Sequence, residues 1–129
     1  MPLVTIEVAD TVPVDKRRAY ADAVNAGLAE GLEMDPEDRF QVIHALPASH
    51  IIADPHFLGG ERRDVVYVRV LMVRMYDTAT KKRLYRRIVE NLSRNPGLRT
   101  EDVLIALTPN DRDDWSFGRG EAPYVKEEP

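Results

Sequence analysis

The residue best suited to do chemistry is the proline at position 2. Removal of Met1, which a small second residue favours, leaves the Pro2 nitrogen as a free secondary amine. An ordinary α-amino group titrates near about 8. Burial or a nearby cation lowers that value, because both disfavour the ammonium form. Neutral, the amine is a general base; protonated, it is a general acid. Most Met-Pro starts are inert. Here a strand is expected from the next residue onward, which holds the nitrogen in a sheet instead of a frayed arm.

Arg74 is the second candidate. It ends the most apolar segment of the chain, and its planar fork suits a carboxylate. A structural ion pair with Asp77 or Asp38 is the competing reading. Asp38, in Asp38-Arg39-Phe40-Gln41, follows Pro36 and precedes a strand. It can orient a water, pair with an arginine or cap a helix turn. Trp115 is the only tryptophan, and Phe117 lies two residues on. Residues so spaced share a strand face, either as a wall over a pocket or as a hairpin packed on a neighbouring subunit. His44, His50 and His56 are spaced by six and match no metal-ligand pattern. Gly118-Arg119-Gly120 lacks the remainder of a phosphate loop. Lys81-Lys82-Arg83 and Arg86-Arg87 read as a solvated helix face.

The elements that must position these groups follow from periodicity. Leu3–Val8 alternates as a strand. Asp15–Leu32 is helical, with Tyr20, Val24, Leu28 and Leu32 as its apolar stripe. Asp35–Asp38 predicts one short turn, and Phe40–Ala45 a second strand. Leu46–Arg63 is irregular and long, which marks loops that are functional or carry a small element. Asp64–Val73 is nearly all apolar and predicts a central strand covered on both faces. A second helix is expected from a cap at Asp77 or Thr78 to about Ser93, striped by Leu84, Ile88 and Leu92. Asn95-Pro96-Gly97 ends it. Thr100–Asp102 is a turn and Val103–Leu107 the fourth strand. The last four residues read as a loose tail.

The halves, about 2–47 and 64–108, each read strand, helix, strand, and a shift of about 63 residues superposes them. The expectation is an α/β (α+β) single domain over 1–129. Duplicated β-α-β units form a four-stranded mixed sheet with two helices on one face. Segment 109–129 adds a short C-terminal hairpin. The uncovered sheet face is expected to be buried against partner subunits.

The whole composition is consistent with this. Across 129 residues, 43% are hydrophobic and 31% charged, with net charge −4. That is a globular balance, without the basic excess of a nucleic-acid binder. With no cysteine, disulfides, thiol nucleophiles and Cys-based metal sites are excluded. The start of the chain has no signal-peptide pattern, and no apolar run is long enough to span a bilayer. A cytoplasmic location is expected, with neither nucleic-acid nor membrane partners.

The Met-Pro start, the duplicated β-α-β, Asp38-Arg39-Phe40-Gln41-Val42, Ile51-Ile52, the arginine ending the third strand and Asp114-Trp115-Ser116-Phe117-Gly118 together resemble the tautomerase superfamily. Within it, the chain looks most like the malonate semialdehyde decarboxylase group. The resemblance implies a homotrimer acting on a small carboxylate substrate, with no metal and no organic cofactor. It implies Pro2 as acid or base, Arg74 as the carboxylate-binding arginine and Asp38 as the group that activates water. It further implies Trp115 and Phe117 as a hydrophobic wall, with Tyr124 among the substrate contacts. The decarboxylase pattern has a second arginine two residues after the first. Here that position is Tyr76, whose phenol donates one hydrogen bond but brings no charge. Tautomerisation of a keto–enol acid, hydration of an unsaturated acid and decarboxylation of a 3-oxo acid are the expected chemistries. A trimeric binding or signalling module without catalysis is the alternative.

Overall fold

The computed structural model describes residues 2–125. β1 spans Leu3–Ala9, α1 Val14–Leu32, β2 Phe40–Leu46, β3 Val66–Val73, α2 Thr78–Arg94 and β4 Val103–Asn110. Single 3-10 turns occur at Ala48–His50, Thr100–Asp102 and Arg112–Asp114. The sheet order is β2-β1-β3-β4. β1 runs parallel to β2, β3 runs parallel to β4, and the two halves join through antiparallel β1 and β3. This is the mixed sheet expected from duplicated β-α-β units.

One face of the sheet meets both helices. Val4, Ile6 and Val8 of β1 and Val66, Val68, Val70 and Met72 of β3 are buried there, as the period-2 alternation of a strand requires. Both helix stripes fall where periodicity put them: Tyr20, Val24, Leu28 and Leu32 of α1, and Leu84, Ile88 and Leu92 of α2, are all buried. α2 starts on Asp77, whose side chain accepts the Thr80 N–H at 2.9 Å. The helices approach almost backbone to backbone. A Cβ on Gly27 would lie 2.6 Å from Ile88 Cα, and one on Gly31 would lie 2.7 Å from Leu84 Cα. Glycines one turn apart thus open the groove that receives α2, at a small loss of helix propensity.

Two expectations are corrected. β3 is central but covered on one face only. Tyr67, Arg69 and Leu71 turn to the side without helices, where Arg69 Nε meets Glu7 Oε1 at 2.9 Å. On that open face Leu3, Phe40, Val42 and Leu104 stay 39–47% exposed. The expected C-terminal hairpin is also absent: among the described residues no strand follows Asn110. Positive φ at Gly118, Arg119 and Gly120 breaks this stretch into turns, because such backbone cannot sustain a strand. The supposed tail, Lys126–Pro129, lies outside the described residues.

Candidate active site

Pairing brings the candidate residues to one end of the sheet. Leu3 pairs with Phe40 of β2 and with Leu71 of β3. One step earlier, buried Pro2 is therefore level with Arg39 on one side and Met72 on the other. Asp38 precedes Arg39, and Arg74 leaves the end of β3 two residues beyond Met72.

The approach to β2 is held by polar anchors. Buried Asn25 of α1 donates to the Pro36 carbonyl at 2.9 Å. Asp35 Oδ1 accepts the Glu37 N–H at 2.9 Å, making the expected turn. Arg39 donates to Gln41 Oε1 and to Asp22 Oδ1, both at 2.6 Å. Gln41 in turn donates to the Ala21 carbonyl at 2.8 Å. The Arg39 hydrogen bond holds the Asp22 carboxyl below its ordinary range; burial opposes this and Arg18 assists it. Asp38 itself is exposed. Its N–H reaches the Asp35 carbonyl at 3.0 Å, and no helix begins here for Asp38 to cap; the side chain that accepts a backbone N–H in this turn is that of Asp35.

Arg74 does not pair with Asp77 or Asp38. Its backbone N–H donates to the Asn110 carbonyl at 2.6 Å, continuing the β3–β4 ladder. Its guanidinium contacts are long: Pro109 O at 3.4 Å and Asp111 Oδ1 at 3.7 Å. With 64% of the side chain exposed, the fork is open to an incoming anion. Tyr76 is half-buried and packs against the core. Burial, and secondarily neighbouring Tyr124, keeps its phenol above the ordinary tyrosine range. It is therefore a neutral donor at physiological pH.

The aromatic segment folds back over this end. Trp115 and Phe117 stack with ring centroids 5.4 Å apart. Tyr124 meets Phe117 edge-on at 5.3 Å, and Phe40 lies 6.0 Å from Phe117 on the other side. Trp115 Nε1 donates to Asn110 Oδ1 at 2.7 Å. The structure thus gathers Arg74, Tyr76, Trp115, Phe117 and Tyr124 around the end of the sheet that carries Pro2. Asp38 enters from the opposite edge of β1. Sequence reasoning missed Phe40, Asn110 and Asn25. Only Phe40 carried a signal, since alternation in β2 puts it on the uncovered face.

Comparison with known proteins agrees with this architecture. Residues 38–118 match the family described as tautomerase enzyme. The probable tautomerase YusQ of Bacillus subtilis (strain 168) is 35% identical over 104 residues, covering 80% of this chain and 82% of that protein. A crystal structure of a malonate semialdehyde decarboxylase inhibited by 3-bromopropiolate is 39% identical with a TM-score of 0.89, covering 95% of this chain and 93% of its own. Another malonate semialdehyde decarboxylase, described for decarboxylase and hydratase activities, is 25% identical with a TM-score of 0.88, covering 95% of each chain. The family match runs from Asp38 to Gly118 and so spans Arg74, Tyr76, Trp115 and Phe117. This chain belongs to the tautomerase family of enzymes.

Proposed function

We propose that the chain performs acid–base chemistry on a small carboxylate, with the free amine of Pro2 as the working group. The observation that carries the reading is the antiparallel pairing of β1 and β3, which sets the start of one strand beside the end from which Arg74 emerges. Arg74 binds the substrate carboxylate through its fork. The Tyr76 phenol donates a hydrogen bond to a neighbouring oxygen. Trp115, Phe117 and Tyr124 cover the apolar body of the substrate and exclude water.

Two reactions fit these groups. In tautomerisation, neutral Pro2 takes a proton from the carbon beside a carbonyl; the C–H electrons form a C=C bond as the C=O π electrons move onto oxygen, and the proton is returned to the resulting enolate at another atom. In hydration, Asp38 accepts a proton from water as its oxygen attacks the β-carbon of an unsaturated acid, and the Pro2 ammonium protonates the α-carbon. Tyr76 in place of a second arginine favours these over decarboxylation of a 3-oxo acid, because less positive charge gathers at the carboxylate.

The working form is proposed to be a homotrimer, each chain contributing one domain and its open sheet face to the interface. A panel of keto–enol acids, halogenated acrylates and malonate semialdehyde tests the reading. It should be run with the native amine and with the amine acylated. Turnover only with the free amine is expected. Turnover of none, with binding retained, would make the chain a binding module.

A further inference from the structure

The duplication builds this site twice. The shift that lays β1 on β3, α1 on α2 and β2 on β4 also lays Pro2 on Val65, Arg74 on Thr11 and Tyr76 on Pro13. Because β1 and β3 are antiparallel neighbours, these counterparts meet at the opposite end of the same strand pair. A cavity of about 490 Å³ lies there, with Thr11, Pro13 and Val65 in its wall. That volume is within the roughly 300–1,000 Å³ of small-molecule sites. Val65 contributes an ordinary peptide nitrogen, so this end has no amine and no acid–base chemistry of the kind at Pro2.

What it has is a cation and a phenol. Lys16 and Tyr20 both line the cavity and lie one turn apart on α1, hence on one helix face. Tyr20 is 6% exposed, yet its hydroxyl makes no hydrogen bond among the described residues. Among the described residues no buried side-chain polar atom lacks a partner, so this unpartnered hydroxyl is the part of Tyr20 that opens into the cavity. Burial first, and the negative charge of Asp64 second, holds this phenol above the ordinary tyrosine range. It is therefore a neutral donor facing the cavity.

The charges around the cavity say which acceptor. Arg62 donates to the Phe57 carbonyl at 2.7 Å. Arg63 reaches Glu61 at 3.5 Å. Arg99 is shared between Glu101 and Asp102. Asp102 also accepts the Arg63 N–H at 2.8 Å. Asp64 is the opposing carboxylate at the rim. Lys16 has no ion pair or hydrogen bond among the described residues. α1 begins beside it on Pro13 with no side-chain cap, a helix end that favours an anion. Ala9, Val12, Ile51, Val66 and Leu98 supply the apolar remainder of the wall.

We infer that this distal cavity is a second, non-catalytic binding site for a small organic carboxylate. The carboxylate is held between Lys16 and Tyr20, and its apolar body lies against Ile51 and Leu98. The inference stands apart from the chemistry assigned to Pro2.

Benzoate is a suitable probe, with benzamide as its uncharged counterpart. Methyl-labelled protein reports the distal end through Ile51 and Leu98, and fluorescence of the sole tryptophan, Trp115, reports the other. Saturable benzoate shifts at Ile51 and Leu98 are expected, and they should persist in Arg74→Ala. Lys16→Ala and Tyr20→Phe should each weaken them roughly tenfold, the scale of losing one charge-assisted contact. Absence of shifts at these methyls, equal binding of benzamide, or undiminished affinity in either variant overturns the inference. Tyr20→Phe keeps the ring and Lys16 is exposed, so both variants retain the fold.

Discussion

The side chain of Asn110 accepts the indole N–H of Trp115 at 2.7 Å, while its backbone carbonyl accepts the N–H of Arg74 at 2.6 Å. One residue at the end of β4 therefore anchors both the Trp115 indole and the backbone of Arg74. Asn110→Leu removes the side-chain acceptor and leaves the backbone link. A neutral hydrogen bond contributes about 0.5–1.5 kcal/mol, so KM should rise roughly threefold to tenfold while kcat changes less. Emission from Trp115 should shift as the indole loses its partner. Asn110→Asp keeps an acceptor and should restore the emission. Unchanged emission in Asn110→Leu would show that stacking on Phe117 alone orients the indole.

Arg74 offers the most direct test of substrate binding. Its guanidinium has only long contacts, to Pro109 and Asp111, so Arg74→Ala should cost little stability. Loss of a charge-assisted clamp of about 1.5–3 kcal/mol should lower kcat/KM on an acid substrate roughly tenfold to hundredfold. Tyr76→Arg is the partner change. It adds the missing charge, and a gain of malonate semialdehyde decarboxylation is expected. A folded variant still inactive on that substrate places the limiting difference elsewhere.

The open sheet face predicts assembly. Leu3, Phe40, Val42 and Leu104 are exposed on it, and Glu7 and Arg69 already satisfy one another at 2.9 Å. Such a face is apolar enough to bury, and its central charges are paired. Val42→Glu puts an unpaired carboxylate there and should convert a trimer to monomers in sedimentation. A variant that sediments as the parent chain does excludes this face as the interface.

Asp22 gives an acid-dependent term in stability. Its carboxyl is held below the ordinary value of 3.8, chiefly by the Arg39 hydrogen bond. A depressed folded value means the stabilisation is present above the unfolded pKa and is lost as pH falls through the folded one. Asp22→Asn should therefore melt below the parent at neutral pH, and the two should converge in strong acid. A constant difference at all pH values would show that the effect is steric.

Much of the fold was legible because each signal was local. The 3.6-residue stripes of α1 and α2 and the alternation of β1 need only neighbours in sequence. β3 misled because Leu71 and Val73 continue an apolar run whose two faces meet different surroundings in the single chain. The partner of Arg74 was misjudged for a tertiary reason: the β3–β4 register pairs Val73 with Asn110, so Asp111 arrives beside Arg74 from 37 residues away in sequence. Asn25 and Asn110 were invisible for the same reason. An asparagine reads as a surface or turn residue until the carbonyl or indole that it meets is known.

If the Pro2 amine is the working group, as proposed, its protonation decides which reaction the site runs. Pro2 is a buried residue just before β1, level with Met72 of β3, two residues before Arg74. Burial and a nearby cation would each disfavour the ammonium of a freed amine. If Pro2 works neutral, kcat/KM falls as pH drops through its pKa, and Asp38→Asn has little effect on tautomerisation. If it works as the ammonium, kcat/KM falls as pH rises, and Asp38→Asn removes hydration because no base takes the proton from water. Pro2→Ala substitutes a primary amine for the ring-held secondary one and should be impaired without being dead. An added residue before Pro2 turns the amine into an amide and should abolish turnover while assembly persists. Full activity with that nitrogen acylated would falsify the role of Pro2 and leave Arg74 and Asp38 to be explained without it.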